Sequence, residues 1–159
     1  MDLTGTWIGE YTLGAEYGAA AGTSVPFVLS LTESALRGGR GYVRDDTEKG
    51  GQPGRGRIHG RRRGTHVRFR KTMPENLVRA PDGAWVPLHK LMREQHGIDL
   101  PADLPPHRID YVGTVDAVGG AMSGEWHIVR CVVRSLGIAL GTGAGTWSAR
   151  RTADEPTQL

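Results

Sequence analysis

Six histidines, one cysteine and 17 acidic residues supply the groups from which acid–base and metal chemistry is usually built. Their spacing organises little of it. No His-x-x-x-His or Cys-x-x-Cys pair occurs, so no metal centre is expected. Gly-x-Ser-x-Gly, Walker and dinucleotide fingerprints are absent as well. Gly141-Thr142-Gly143-Ala144-Gly145 is glycine-rich but leads into a strand pattern and reads as a hairpin loop. Asp110, Glu125 and His127 alternate onto one face, where carboxylate and imidazole could exchange a proton. On an outer surface the same three residues are an ordinary solvated cross-strand contact. Cys131 reads as a small buried thiol. No catalytic residue is assigned and no cofactor is expected, which leans against an enzyme.

The basic residues are more concentrated. Eight lie between Arg55 and Lys71 with no acidic residue among them, in a chain whose net charge is only +3. With Arg61-Arg62-Arg63-Gly64 as a connecting loop, alternation sets Arg55 opposite Arg70, Arg57 opposite Arg68 and His59 opposite His66. Ile58 then faces Val67, and Gly56 faces Phe69, on the other side. Burying four guanidinium groups would cost several kcal/mol each, so the arginines are expected to point outward. Like charges facing one another across a ladder cost about a few tenths of a kcal/mol per pair. Either an anion relieves them, with Arg55, Arg57, His59, His66, Arg68 and Arg70 as its site, or Asp45, Asp46 and Glu48 do. With Phe69 turned inward this face lacks a stacking platform, so nucleic acid is not the expected principal partner.

The elements that must position these groups are strands. Alternating segments separated by glycine-rich breaks predict strands at about 3–12, 25–32, 38–46, 54–60, 65–71, 107–117, 121–131 and 144–151. Eight strands in hairpin order predict an all-β, antiparallel up-and-down barrel, because closure removes exposed edges. A length of 159 residues suits one domain, taken as 1–152 with a tail at 153–159. One excursion breaks the rhythm at about 73–106. It contains a helix-like stretch from Pro87 to His96 in which Leu88, Leu91 and Met92 share a face and Gly97 supplies a stop. Such an insertion is expected to cap or border the mouth of the barrel. A turn at Ala117–Gly120 places Tyr111 opposite Trp126, Gly113 opposite Gly124, and Asp110 opposite His127.

Gly-x-Trp occurs three times, at Gly5-Thr6-Trp7, Gly124-Glu125-Trp126 and Gly145-Thr146-Trp147. Alternation turns each indole toward the apolar side of its strand, together with Tyr11, Phe27, Phe69 and Tyr111. Gly5-Thr6-Trp7 on the first strand, with Arg151 on the inner face of the last, resembles the calycin superfamily of lipocalins, fatty-acid-binding proteins and avidins. In lipocalins such a Trp is packed by an Arg at the closed end of the barrel. Leu3-Thr4-Gly5-Thr6-Trp7 also resembles the opening strand of avidins. Avidins follow the Trp with an Asn and a Ser that bond the biotin ureido group. Here Ile8-Gly9-Glu10-Tyr11 stands instead, so biotin recognition does not carry over.

The resemblance implies a cup for a small molecule. The expected function is therefore binding of a largely apolar or aromatic ligand by Trp7, Tyr11, Phe27, Phe69, Tyr111, Trp126 and Trp147. The alternative is a polyanion- or nucleic-acid-binding module acting through 55–71. No apolar run approaches the roughly 20 residues of a membrane helix. The first residues lack a signal-peptide pattern, and a single cysteine cannot form an internal disulfide. Both point to a cytoplasmic location.

Overall fold

A computed structural model describes residues 2–34, 38–80, 82–101, 103–129, 131–141 and 143–152. The expected tail, 153–159, lies outside them. Eight long strands form a closed antiparallel barrel: β1 (Gly5–Thr12), β2 (Ser24–Ser34), β3 (Gly38–Asp45), β4 (Arg55–Arg63), β5 (His66–Thr72), β8 (Arg108–Val115), β9 (Ala121–Ile128) and β12 (Ala144–Arg151). Each pairs with the next in chain order, and β12 returns to β1. Two small hairpins interrupt the meander. One is β6 (Leu77–Arg79) with β7 (Trp85–Pro87), continued by helix α1 (Leu88–His96); the other is β10 (Cys131–Val133) with β11 (Ile138–Leu140). Helix α1 ends where Gly97 takes the left-handed conformation at φ 64°.

The interior is filled from alternate positions of every long strand. Trp7 and Tyr11, then Val25, Phe27, Leu29 and Leu31, then Phe69, Tyr111, Trp126 and Trp147 all belong to one buried cluster. Two Gly-x-Trp motifs explain each other. Strands β9 and β12 pair with Gly124 opposite Trp147 and Trp126 opposite Gly145, so each glycine faces the partner motif's indole. A Cβ on Gly145 would come within 2.7 Å of the Trp126 Nε1. That nitrogen donates instead to the Thr12 carbonyl at 3.0 Å, and Trp147 Nε1 donates to the Glu125 carbonyl at 3.1 Å. Phe27 opposite Gly9 and Phe69 opposite Gly60 repeat the arrangement. An eight-stranded barrel is just wide enough to be filled by side chains. Phe27, Phe69, Trp126 and Trp147 fit inside this one because a strand beside each presents a glycine at that level.

The hairpin turning at Ala117–Gly120 has the expected register, with Tyr111 opposite Trp126 and Asp110 opposite His127. The basic hairpin does not. Its strand runs on through Arg63, and the chain reverses over Gly64 and Thr65, with Gly64 at φ 59°. Pairing therefore slides by four in residue sum: Ile58 meets Lys71, Gly60 meets Phe69, His59 meets Arg70, Arg61 meets Arg68 and Arg63 meets His66. Both registers set a glycine opposite Phe69, so the difference lies in the turn: left-handed Gly64 permits a two-residue reversal that keeps Arg61–Arg63 in the ladder, and Gly60 also pairs with Gly39 of β3. The slide is even, so every residue keeps its face. Arg62 falls at the inward rim and its Nε lies 3.1 Å from Glu33 Oε1.

One end of the barrel is plugged. Trp7 is fully buried there, donates from Nε1 to the Leu3 carbonyl at 3.0 Å, and lies 5.0 Å below the Arg151 guanidinium. Arg151 also bonds the Asp2 carbonyl. Replacing Trp7 by Ala should cost about 3–5 kcal/mol of stability, as a large-to-small change in a tight core. Arg151→Ala should cost roughly 0.5–2 kcal/mol through loss of the cation–π contact. Urea unfolding checks both, and an unchanged midpoint for Trp7→Ala would contradict the plug.

Candidate functional site

The other end stays open beneath a cover. Residues of β6, β7 and the start of α1, the loop at 50–52, Tyr17 and the Leu140–Gly141 segment enclose a cavity of about 320 Å³. Asn76 ties the cover down: its side chain donates to the Leu104 and Pro105 carbonyls and accepts from the His107 amide, while its own carbonyl accepts from the Leu88 amide. Gln52 adds a tie by donating to the Glu75 carbonyl at 3.2 Å. The walls are Trp126, Trp85, Ile109, Ile128, Leu77 and Leu88.

The floor is polar. Lys71 Nζ contacts both oxygens of Asp45, at 2.7 and 2.6 Å, and the two side chains are 3% and 1% exposed. The Tyr11 hydroxyl donates toward Asp45 Oδ2 at 3.4 Å, and Lys71 Nζ stands 5.6 Å from the Tyr11 ring centroid. Alternation put both charges inside: Lys71 shares parity with Phe69, and Asp45 with Val43. Taking two charges out of water costs several kcal/mol per ion, and a close pair with further hydrogen bonds offsets it. Asp45 thus serves the interior, not the outer arginines for which it was a candidate. An ammonium has three donors, and Asp45 takes two. The Tyr111 hydroxyl, also on the cavity, has no hydrogen-bond partner among the described residues. Burial pushes the Tyr11 and Tyr111 phenols well above their usual range, with the Asp45 carboxylate adding to it, and pushes Tyr17 up to about 12. All three remain donors. Burial lowers the His107 imidazole, and Arg79 adds a cation to the lining.

The seven aromatic residues singled out in the sequence fall into three layers. Tyr11, Tyr111 and Trp126 line the cavity. Phe27, Phe69 and Trp147 lie below it around a void of about 20 Å³, room for a water at most. Trp7 sits in the plug at the far end. Sequence reasoning missed Lys71 and Asp45, although parity on their own strands was a sufficient signal. It had no signal for Gln52, Arg79, Trp85 and His107, which reach the cavity from loops and the insertion.

Arg55, Arg57 and His59 on β4, and His66, Arg68 and Arg70 on β5, point outward. Asp110, almost wholly buried beneath them, accepts from Arg68 Nη2 and Arg70 Nε at 2.7 Å each. These bonds, Arg70 first, hold its carboxyl down to about 2.

No family model matches the chain, and no curated protein matches it. Among solved structures the chain is similar to rhizavidin in its crystal structure, at 10% identity over 96% of this chain and 88% of that one, with a TM-score of 0.42. The strand pairing by itself shows the closed eight-stranded antiparallel up-and-down barrel that the sequence pattern predicts.

Two outcomes follow from the charges. Lys71→Met leaves Asp45 buried and unpaired and should destabilise by about 3–5 kcal/mol, while Lys71→Met with Asp45→Leu should recover most of that loss. Equal urea midpoints for the native protein and the single variant would contradict a buried pair. Asp110 has a depressed folded pKa, so its contribution is present above the unfolded value of 3.8 and disappears as pH falls toward about 2. The native protein should exceed Asp110→Asn by about 1–2 kcal/mol at neutral pH, allowing for the exposed arginines. That gap should close between pH 5 and pH 2 in paired denaturation series.

Proposed function

We propose that this protein binds a small molecule in the covered mouth of the barrel. The ligand has an aromatic or apolar body and an oxygen acceptor at one end. The observation that carries the reading is the cavity of about 320 Å³, which is apolar on its walls and has Lys71, Tyr111 and, among the described residues, the unpartnered Trp85 Nε1 in its lining. That volume falls at the lower end of the range of small-molecule pockets, roughly 300–1,000 Å³. Trp126 and Trp85 offer flat surfaces to a planar guest. The third N–H of Lys71 and the Tyr111 hydroxyl converge at the floor, where a carbonyl or hydroxyl oxygen would take up both. Because Asp45 already holds Lys71 in place, these donors are preorganised and little ordering cost falls on binding.

Titration with flavonoid-like aromatics, aromatic ketones and short fatty acids should change the Trp emission and raise the melting temperature for at least one compound. For a compound that binds, Tyr111→Phe should weaken affinity about 2- to 10-fold, the worth of one net hydrogen bond, without lowering stability. A panel with no response in emission or melting temperature would overturn the reading.

A further inference from the structure

On the opposite surface of the barrel wall, away from the cavity, the register of β3, β4 and β5 builds a feature the small-molecule reading does not use. Outward positions on these strands are Arg40, Tyr42 and Arg44; Arg55, Arg57, His59, Arg61 and Arg63; and His66, Arg68, Arg70 and Thr72. They align in rows: Arg44 beside Arg55, Tyr42 beside Arg57, Arg40 beside His59 and Arg70, and Arg61 beside Arg68. No acidic residue occupies an outward position on β2, β3, β4 or β5. The carboxylates that could have relieved these arginines do not: Asp45 pairs with Lys71, and Asp46 and Glu48 form no ion pair among the described residues. Arg61 and Arg63 extend the row instead of lying in a loop, and Asp45 is inside the barrel. Asp110 relieves Arg68 and Arg70 only. Among the described residues Arg40, Arg44, Arg57, Arg61 and Arg63 form no ion pair.

We infer that this face docks the phosphodiester backbone of a single-stranded nucleic acid. From Arg55 to Arg63 the row on β4 is about 26 Å long, with an outward side chain every 6.6–6.8 Å or so, four of the five being arginines, and three strands make it about 10 Å wide. One phosphate would answer two neighbouring guanidinium groups and leave the rest facing each other. An extended polyanion answers them all. Arginine supplies the planar fork that fits phosphate oxygens. Tyr42 distinguishes a nucleic acid from other polyanions. It is 44% exposed in the middle of the cations, with the Arg55 guanidinium 4.3 Å from its ring centroid. A ring and a guanidinium plane together form a stacking element that an unpaired base can use and a duplex cannot.

The test is fluorescence anisotropy of the full chain with labelled oligothymidylate, oligouridylate, a matched duplex and a heparin fragment, from about 50 to 200 mM salt. Both single strands should bind, with log K falling against log salt at a slope of roughly −3 to −4 for five arginines. Arg57→Gln with Arg61→Gln and Arg63→Gln should reduce the slope magnitude by about 2 and the affinity at least tenfold. Arg150→Gln, on β12, should change neither. Tyr42→Ala should weaken single-strand binding about fivefold or more at an unchanged slope. If the triple variant does not fold, Arg40→Gln with Arg44→Gln on β3 should reduce the slope magnitude by about 1.4 and weaken affinity several-fold. Absence of oligonucleotide binding at about 50 mM salt would overturn the proposal, as would an unaltered slope in a folded variant. Heparin or duplex binding as tightly as single strands, with Tyr42→Ala neutral, would overturn it in favour of a general polyanion face.

Discussion

Four aromatic residues inside this barrel sit opposite cross-strand glycines: Phe27 and Gly9, Phe69 and Gly60, Trp126 and Gly145, Trp147 and Gly124. An eight-stranded barrel has room for roughly one layer of side chains between its walls. These four rings satisfy that limit because one neighbouring wall is bare at their level. Each ring–glycine match also pins a register, since an even slide by two would bring a Cβ into the ring's place. Phe69 would find a glycine in either register, Gly56 or Gly60, and the two-residue reversal at Gly64 and Thr65 goes with Gly60 and draws three arginines into β4. The turn therefore sets how far the row of outward arginines runs along β4.

The two ends of the barrel solve the same problem differently. At one end Trp7, Leu3 and the stem of Arg151 fill the cross-section, and Glu33 meets Arg62 at the rim. At the other the interior changes from rings to a charge pair, and a cover held by Asn76 and Gln52 closes over it instead of packing into it. A lysine and an aspartate cannot be covered by an apolar plug without losing the neighbours that keep them satisfied. The cavity is the space left between a polar floor and a cover whose own apolar residues cannot reach it.

Inner and outer surfaces of one sheet thus carry separate chemistry. On β5, Val67, Phe69 and Lys71 face the core and cavity while His66, Arg68 and Arg70 face solvent. Asp45 and Asp110 show how much a single position matters. Both are buried carboxylates paired with cations, yet one forms the floor of the cavity and the other holds down two surface arginines. Alternation along the strand makes that division possible, because adjacent residues never share a face.

Strand positions, the faces of their residues, the helix ending at Gly97 and the Trp7–Arg151 closure were legible in the sequence, because each depends on a short repeat or a local conformational preference. Parity alone also placed Lys71 beside Phe69, though the run of basic residues around it drew attention outward. The register of β4 with β5 was not legible. Both candidate registers keep the same faces, and the choice between them lies in whether Phe69 meets Gly56 or Gly60 across the ladder. Nor was the cavity. Its lining brings Tyr11, Asp45, Lys71, Trp85, His107 and Trp126 together from segments far apart in the chain. Periodicity is a property of one strand, so the sequence by itself determined what each strand shows to either side. Register and enclosed volume are sums over side chains from many strands, and only the tertiary structure decided them.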